Sequence, residues 1–255
     1  MNTRFLGDTT VLLGRTLRHI TRSPDTIITT AIMPIAMMLM FRYVFGGAIN
    51  TGQGPGHYTN YVLPGILLIT IATSTSYTTL RLFTDMQSGI FARFQSLPIA
   101  RSSVLWAHVL TSVVSTLISL ALVVLIGLAM GFRTGAGPGP WLAVIGISIL
   151  LTVALTWIAV IAGLTAKTAE GGSAYAYPII FLPFISSAFV PTRTMPGPVR
   201  AFADNQPMTS ITDTIRDLFA RQPVSSSVWT ALAWCLGILI VAYALAIVTY
   251  HRKIA

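Results

Sequence analysis

The amino-acid sequence predicts an all-α integral membrane protein with six transmembrane helices, and three observations support this fold class. Of its 255 residues, 54% are apolar and only 9% are charged, and the mean hydropathy is +0.75. Soluble domains carry about a quarter charged residues, so this chain lacks the charges that would cover a soluble globule. Long runs contain no Asp, Glu, Lys or Arg, namely 43–80, 102–132, 134–166, 171–192 and 222–251. This pattern excludes an ordinary cytosolic enzyme, a disordered tail and a nucleic-acid-binding domain.

The charge-free runs have the length that a helix needs to cross a bilayer, which is about 20 residues. Helices are expected because lipid offers no partner for exposed backbone groups, and the short alternating segments of a β-barrel are absent from the sequence. Glycine- and proline-rich stretches separate the runs. Trimmed at these loop signals, the predicted spans cover about 26–45, 61–80, 104–130, 141–165, 174–191 and 229–250.

An amphipathic helix is predicted before the first span, over residues 4–22. On a helical wheel its leucines and isoleucine fall on one face, and its arginines and Asp8 fall almost opposite. This segregation is typical of a helix that lies in the cytoplasmic headgroup layer of the membrane. A generic amphipathic leader is the alternative.

The external connection before the last span, residues 192–227, contains a second amphipathic pattern. Apolar residues recur there at helical spacing, at Ile211, Ile215, Leu218 and Phe219. A short re-entrant helical hairpin that dips into the outer leaflet explains the length and the mixed polarity of this connection. A solvated loop with one surface helix is the alternative.

Lysine and arginine predict the orientation, because they are retained on the cytoplasmic side of a membrane. They are concentrated in the N-terminal segment, in the loop after the second span and in the C-terminal tail. Both termini are therefore expected in the cytoplasm, with the chain in the cell membrane. The 192–227 connection conflicts with this rule, because it places four arginines outside, namely Arg193, Arg200, Arg216 and Arg221. The even number of spans and the first three loops favour the orientation nevertheless.

The sequence contains no recognisable catalytic, metal-binding or nucleotide-binding motif. The four histidines have no metal-ligand spacing, and Cys235 is the single cysteine. The stretch Gly163–Thr168 lacks the glycines of a phosphate-binding loop. Apart from Arg42, the spans hold no Asp, Glu, Lys or Arg, whereas ion-coupled carriers usually keep carboxylates or broken helices near mid-membrane. We therefore expect no enzymatic activity and no bound cofactor in this chain, and an energy source in a partner.

Hydroxyl and aromatic side chains are concentrated in the second and fifth predicted spans. The residues singled out as a candidate path for a bulky amphipathic molecule are Thr70, Thr73, Ser74, Tyr77, Tyr177, Phe181, Phe184 and Ser187. Helix packing is the alternative, with Ser and Thr bonding to carbonyls of the preceding turn. Pro178 and Pro183 predict a kinked fifth helix.

Several short motifs follow one another in a characteristic order between the spans. They are Arg22–Pro24, Met33–Pro34, Phe41–Gly47, Tyr61–Ile66, Asp85–Ile99, Met195–Gly197 and Asn205–Thr209, followed by Arg216. In these motifs, and over nearly its whole length, the chain resembles the permease subunit of type-2 ABC exporters, and within them the daunorubicin/doxorubicin-resistance permeases. The resemblance implies the interfacial helix, the six spans and the re-entrant hairpin.

The resemblance also implies partners and the positions that contact them. It implies a dimer of permeases bound to two separate ATPase subunits, which hold the ATP and Mg, and a substrate path between the second and fifth helices. Residues 81–101 are implied to be the cytoplasmic coupling loop that contacts the ATPase, through Asp85, Met86, Gly89, Ile90, Arg93 and Phe94. An apolar stripe through this loop supports the assignment, because such a stripe suits docking into a groove of a partner.

The leading hypothesis is therefore an ATP-driven exporter permease that moves an amphipathic small molecule, such as an antibiotic, a drug or a lipid-like compound. The aromatic fifth span favours flat apolar molecules over polysaccharide, which is the alternative cargo. A membrane-embedded enzyme that modifies lipid, using Asp204, Asp213 or His57, is the alternative from another class. A non-catalytic assembly or sensor subunit is the third hypothesis.

Overall fold

A computed structural model describes residues 25–45, 58–88, 101–221 and 226–254, and every regular element in these ranges is helical. The long helices are α1 (Asp25–Met40, continued by a π-helical turn Phe41–Phe45), α2 (Tyr58–Gln87), α3 (Arg101–Ala129) and α4 (Pro138–Thr165). Short helices follow, namely α5 (Ala169–Ser173), α6 (Ala176–Phe181), α7 (Gly197–Asp204) and α8 (Pro207–Ala220). The last helix is α9 (Ser227–Ile254). The predicted interfacial helix at 4–22 lies outside the described residues.

Helices α2, α3, α4 and α9 are long and apolar enough to cross a membrane, and Thr30–Phe45 is a shorter apolar helix. The integral membrane class predicted from composition is confirmed. The observed helices extend beyond the predicted spans by a few residues, because the charge-free runs were trimmed at loop signals. Throughout, the outer end of the bundle denotes the end at which α2 begins and α3 ends, following the orientation that the sequence predicts.

Helix α2 lies at the centre of the bundle, in contact with α1, α3, α4 and α8. Most of its apolar residues are buried; Leu63, Ile66 and Ile69, for example, have no exposed surface, whereas Leu80 is 39% exposed. It also has the lowest mean hydropathy of the four long helices. The two facts agree, because a hydroxyl-rich helix is favoured where protein rather than lipid surrounds it. Helix α9, by contrast, lies at the periphery, and most of its side chains face outward.

The loop predicted over 81–101 begins later in the structure, because α2 continues without a break to Gln87. A helix of 30 residues is about 45 Å long, which exceeds the roughly 30 Å of hydrocarbon in a bilayer. Asp85 and Met86 are therefore helical, and the prediction that they lie in a loop is wrong. Hydropathy does not predict how far a helix continues beyond the hydrocarbon. The charged last turns of α2 therefore resemble a loop in the sequence.

The predicted fifth span is not one continuous helix. The fifth segment, residues 169–191, consists of α5, α6 and a 3₁₀ turn, Leu182–Ile185, followed by non-helical turns. Pro178 and Pro183 lack the backbone N–H that a helix interior requires, and the 3₁₀ turn has Pro183 in its first turn. The kink that these prolines predict is thus observed as a full break.

Helices α7 and α8 occupy the external connection and are separated by Asn205 and Gln206. The apolar stripe predicted on α8 is buried against the bundle, at Ile211, Ile215, Leu218 and Phe219. Helix α8 contacts α2, α4 and α9, so this part of the connection is packed into the bundle, whereas α7 is mostly exposed. Packing of this stripe holds α8 in place.

Hydroxyl groups join the long helices to one another. Thr30 Oγ1 of α1 lies 3.0 Å from Ser119 Oγ of α3, and Thr79 Oγ1 of α2 donates to the Ala159 carbonyl of α4 at 3.0 Å. Such interhelical bonds average about 0.6 kcal/mol in membrane proteins. At the outer end of α3, Gly131 has φ +96°, a conformation that glycine adopts without strain and that ends the helix.

Candidate functional site

The fifth segment approaches α2 most closely at a glycine. A Cβ on Gly65 would lie 2.7 Å from the Cβ of Ala188 and 3.3 Å from the Ala188 carbonyl oxygen. Atoms in proteins do not pack at the shorter distance, so the approach requires a residue without a side chain. Gly65 therefore sets the distance between the central helix and the fifth segment.

A glutamine supports the 3₁₀ turn of the fifth segment. Gln206 Nε2 donates to the Leu182 carbonyl at 3.0 Å and to the Ile185 carbonyl at 2.6 Å. These carbonyls are at the end of a helical stretch, where no intrahelical donor remains. An unsatisfied buried carbonyl is costly, so the side chain of Gln206 stabilises the break.

Two tyrosines of α2 bond to the non-helical turns that follow. Tyr61 Oη donates to the Ser187 carbonyl at 2.9 Å, and Tyr58 Oη donates to the Phe189 carbonyl at 3.2 Å. The tyrosines are one turn apart on α2, and the carbonyls they meet are two residues apart. These two bonds fix the register of the fifth segment against α2.

A partly buried charge network connects α8 to the same stretch. Arg216 Nη1 lies 2.6 Å from Asp213 Oδ1, and Arg216 Nη2 donates to the carbonyls of Ser187 and Tyr61, at 2.8 and 3.3 Å. The guanidinium also lies 4.0 Å from the centre of the Tyr61 ring, within range of a cation–π interaction. Ser187 Oγ donates to Asp213 Oδ1 at 2.7 Å, which closes the network. The fifth segment, α2 and α8 are therefore held as one unit.

This network was missed by sequence reasoning, which treated Arg216 as a topology conflict. Ser187 was predicted to line a substrate path, but its hydroxyl and carbonyl are both occupied by partners within the chain. The signal available in the sequence was the i, i+3 spacing of Asp213 and Arg216 on an amphipathic helix. Their partners are on α2 and the fifth segment, and nothing local in the sequence points to them.

The outward face of the fifth segment is aromatic. Tyr177 and Phe181 are 62% and 61% exposed, and Phe184 is 36% exposed. The rings of Phe181 and Phe184 have centroids 6.1 Å apart, and Phe184 stacks on Phe189 at 5.1 Å. Phe189 in turn stacks on Phe41 of the π-helical turn at 4.5 Å. A continuous row of rings thus extends from an open surface into the outer end of the bundle.

The predicted path residues of α2 lie deeper than those of the fifth segment. Thr70 is buried, and Thr70 and Thr73 donate to backbone carbonyls one turn back, at 2.7 and 2.9 Å. Ser74 is buried and Tyr77 is half-buried. The threonine bonds are those expected from helix packing. The assignment of all eight residues to a substrate path stays a prediction. Among them, Tyr177, Phe181 and Phe184 have the accessible positions.

At the opposite end of α2, two of the predicted coupling residues contact neighbouring elements. Asp85 Oδ2 lies 3.3 Å from His108 Nε2 of α3, and Met86 packs against the apolar cluster around Leu82. The four other coupling residues lie outside the described residues, namely Gly89, Ile90, Arg93 and Phe94. Contact of this region with an ATPase stays a prediction.

The carboxylates considered for a lipid-modifying enzyme have ion-pair partners in the structure. Asp204 lies 3.3 Å from Arg200 Nε, and Asp213 belongs to the Arg216 network. His57 lies outside the described residues. Within the parts of the chain that the structure describes, no group of three or more His, Cys, Asp and Glu side chains is placed to hold a metal ion.

The helical membrane bundle agrees with the comparison with known families. Residues 8–220 match the family described as "ABC-2 type transporter", and the chain belongs to this family. Members are the membrane subunits of ABC transporters, and ATP is hydrolysed by a separate chain.

Two curated relatives are drug-resistance permeases. The "Daunorubicin resistance ABC transporter permease protein DrrB1" of Streptomyces coeruleorubidus is 31% identical, with 94% of this chain and 87% of the relative covered. The "Probable doxorubicin resistance ABC transporter permease protein DrrC" of Mycobacterium tuberculosis is 26% identical, with 97% and 90% covered. The resemblance that the motifs predicted is confirmed.

Proposed function

We propose that this chain is the permease subunit of an ATP-driven exporter, and that its cargo is a planar, amphipathic small molecule of the drug or antibiotic class. The observation that carries the choice of cargo is the row of exposed rings at Tyr177, Phe181 and Phe184. Flat aromatic molecules stack on such rings in offset or tilted arrangements. The names of the two drug-resistance relatives support the same class of cargo.

The fifth segment and α8 complete the proposed topology. The fifth segment crosses the membrane as a broken element, which gives six crossings together with α1, α2, α3, α4 and α9. A break at membrane depth is tolerated where protein groups satisfy the backbone, and the donors from Tyr58, Tyr61 and Gln206 support this placement. Helices α7 and α8 form the re-entrant hairpin, and both termini are cytoplasmic in the cell membrane.

Two copies of the chain form the transport unit together with two ATPase subunits, which bind the ATP and Mg. This assembly rests on the family resemblance. The cargo enters from the inner leaflet and moves outward between the two permeases by alternating access. Residues 81–101, including the last turn of α2, contact the ATPase. Polysaccharide and lipid are the alternative cargoes, and they are distinguished by the transport assay below.

The direct test is export by the purified complex. The full chain is expressed with an affinity tag, co-purified with its ATPase and reconstituted into vesicles. Doxorubicin, which is fluorescent, is expected to stimulate ATP hydrolysis and to be moved across the membrane only when ATP is present. Transport by the chain alone with an ion gradient would contradict an ATP-driven mechanism. Stimulation by lipid-linked sugar but not by doxorubicin would contradict the proposed cargo.

Removal of the exposed rings is expected to weaken export of the aromatic cargo. In the double variant Tyr177→Ala and Phe181→Ala, the concentration of doxorubicin that half-stimulates ATP hydrolysis should rise about tenfold, because each ring contact contributes about 0.5–1.5 kcal/mol. Phe202→Ala is the matched control, since Phe202 is 52% exposed on α7 and lies outside the row of rings. An equal effect in both variants would contradict stacking on this surface.

Asp85→Ala is expected to leave membrane insertion intact and to uncouple ATP hydrolysis from export. The measurement is the ratio of doxorubicin moved to ATP hydrolysed in vesicles. Because Asp85 also contacts His108, the variant His108→Gln separates the two roles of the carboxylate. If His108→Gln lowers the ratio as much as Asp85→Ala does, the carboxylate acts within the bundle and not on the ATPase. Asp204→Ala, a carboxylate removed at the other end of the bundle, is the control for lost charge.

A further inference from the structure

A small cavity of about 160 Å³ lies at the outer end of the bundle. It is bounded by the first turn of α2, by the connection between α3 and α4, and by the last turn of α8. Its wall includes two arginines, an amide and three aromatic rings, at Arg133, Arg216, Asn60, Tyr61, Phe132 and Phe219. The cavity is therefore basic on one side and apolar on the other.

A third arginine lies beside the cavity. Arg221 has φ 54° and ψ 27°, and this left-handed conformation at the end of α8 directs it to Gly135, a residue of the cavity wall. A Cβ on Gly135 would lie 3.4 Å from the Cδ and Nε atoms of Arg221. No residue that lines the cavity is acidic. Even with Asp213 and Asp217 of α8 counted, the three arginines leave the site net positive.

Hydrogen bonds within the chain fix the positions of Arg133 and Arg216 without using every N–H group of the arginines. Arg133 Nη1 donates to the carbonyls of Leu128 and Phe132, both at 2.9 Å, and Asn60 holds the Arg133 backbone through two further bonds. Arg216 Nε is buried and has no hydrogen-bond partner among the described residues. That nitrogen is closed off from the cavity, whereas Arg133 and Arg221 are exposed and present their guanidinium groups to a ligand.

The aromatic residues place the cavity at the level of the lipid headgroups. Trp141, at the start of α4, lies 5.0 Å from the Phe219 ring, and Phe132 lies 5.2 Å from the same ring. Tryptophan is enriched at the boundary between hydrocarbon and water. The beginnings of α2 and α4 and the end of α3 lie at this level too, as expected where helices leave the membrane.

We propose that this cavity binds the phosphate group of a membrane phospholipid, with the glycerol of the lipid beside Phe219. Guanidinium groups match phosphate oxygens in charge and geometry. With the orientation of the proposed function, the lipid belongs to the outer leaflet. The site also accounts for two of the arginines, Arg216 and Arg221, that conflict with the retention of positive charge inside. Arg216 is already paired with Asp213, and the lipid anion adds negative charge beside Arg221.

The test compares three probes on the full chain purified in a maltoside detergent, which contains no phosphate. Native mass spectrometry measures binding of dioleoyl-phosphatidylglycerol, and dioleoylglycerol and sodium phosphate are added separately as competitors. One tightly held phosphatidylglycerol per chain is expected, displaced by neither competitor at equal concentration. Displacement by dioleoylglycerol would show that the apolar wall alone binds, and displacement by phosphate would show a site for a soluble anion. Either outcome overturns the proposal.

The variants assign the binding to the arginines. In Arg133→Gln with Arg221→Gln, the affinity for phosphatidylglycerol should fall about tenfold, because charge-assisted hydrogen bonds to phosphate are lost. Arg133→Lys with Arg221→Lys keeps the charge and should retain most of the affinity. Arg200→Gln removes an exposed arginine from the same external connection and should bind as the unchanged chain does. Equal affinity in the glutamine variant, with an unchanged melting temperature, overturns the site.

Discussion

Replacement of Arg216 by alanine is expected to lower the free energy of unfolding by about 2–3 kcal/mol and to abolish export. The substitution removes the cation of the Asp213 carboxylate and one donor from each of the carbonyls of Ser187 and Tyr61, and the Ser187 carbonyl keeps the Tyr61 hydroxyl. The Arg216 side chain is 17% exposed, so water replaces these partners poorly, although Asp213 at 38% exposure recovers part of its hydration. Chemical unfolding of the purified chain, followed through tryptophan fluorescence, measures the loss.

Arg200→Ala is the matched control for this prediction. Arg200 and Asp204 also form an ion pair in the external connection, but their side chains are 53% and 43% exposed. Pairs of this kind contribute about 0–1 kcal/mol, because water competes for both charges. If the two alanine variants lose similar stability, the network around Arg216 does not hold the fifth segment. Arg216→Lys should recover little, since one ammonium group does not reach the three acceptors as a guanidinium does.

Gly65→Ala is expected to destabilise the chain by about 1–3 kcal/mol, as overpacking does, and to impair export at least as strongly. The added Cβ would lie 2.7 Å from the Ala188 Cβ, so either α2 or the fifth segment must shift. A shift of the fifth segment moves its carbonyls away from Tyr58, Tyr61 and Arg216. One methyl group thus disturbs several hydrogen bonds together. The measurements are chemical unfolding and doxorubicin-stimulated ATP hydrolysis.

Two controls separate this crowding from the general effect of a helical glycine. At Gly146 of α4 and Gly237 of α9, an added Cβ meets nothing within 4 Å. Alanine there should be neutral or should stabilise by about 0.5–1 kcal/mol, because glycine is a poor helix former. The double variant Gly65→Ala with Ala188→Gly should recover part of the loss, because the Ala188 carbonyl oxygen still lies 3.3 Å away. Absence of any recovery would contradict contact at this point as the cause.

The broken fifth segment is stabilised by residues that a continuous helix would not need. The fifth segment needs donors from α2 and α8 because its prolines prevent a regular helix. The same break lets one face of the segment turn outward with its rings exposed while the other face stays bonded to the core. A continuous helix would satisfy its own carbonyls and would need neither Arg216 nor Gln206. The network is therefore needed because the segment is broken.

The sequence predicts the long helices well because their signal is local. Apolar runs of about 20 residues have few alternatives to a membrane helix. The apolar stripe on α8 is also predictable from the sequence, since Ile211, Ile215 and Leu218 recur at helical spacing. The end of α2 was misplaced because the turn that contains Asp85 is helical but polar, and polarity was read as loop.

The candidate site was only partly predictable. Tyr177, Phe181 and Phe184 were identified by their type, and the structure places them on an exposed face. Thr70 and Ser74 have the same kind of side chain as a path requires, yet they are buried in the bundle. Residue type does not reveal which side of a helix faces the protein when every side of that helix is apolar or hydroxylic.

By itself the sequence determined the class of protein, the long helices and the family, because these depend on composition, on local hydropathy and on short motifs. Only the tertiary structure decided what holds the fifth segment and where the outer arginines lie. Arg216 and the Tyr61 carbonyl are 155 positions apart, and Tyr58 and the Phe189 carbonyl are 131 apart. A broken helix has unpaired carbonyls whose donors come from distant elements, so their identity depends on how the whole chain packs.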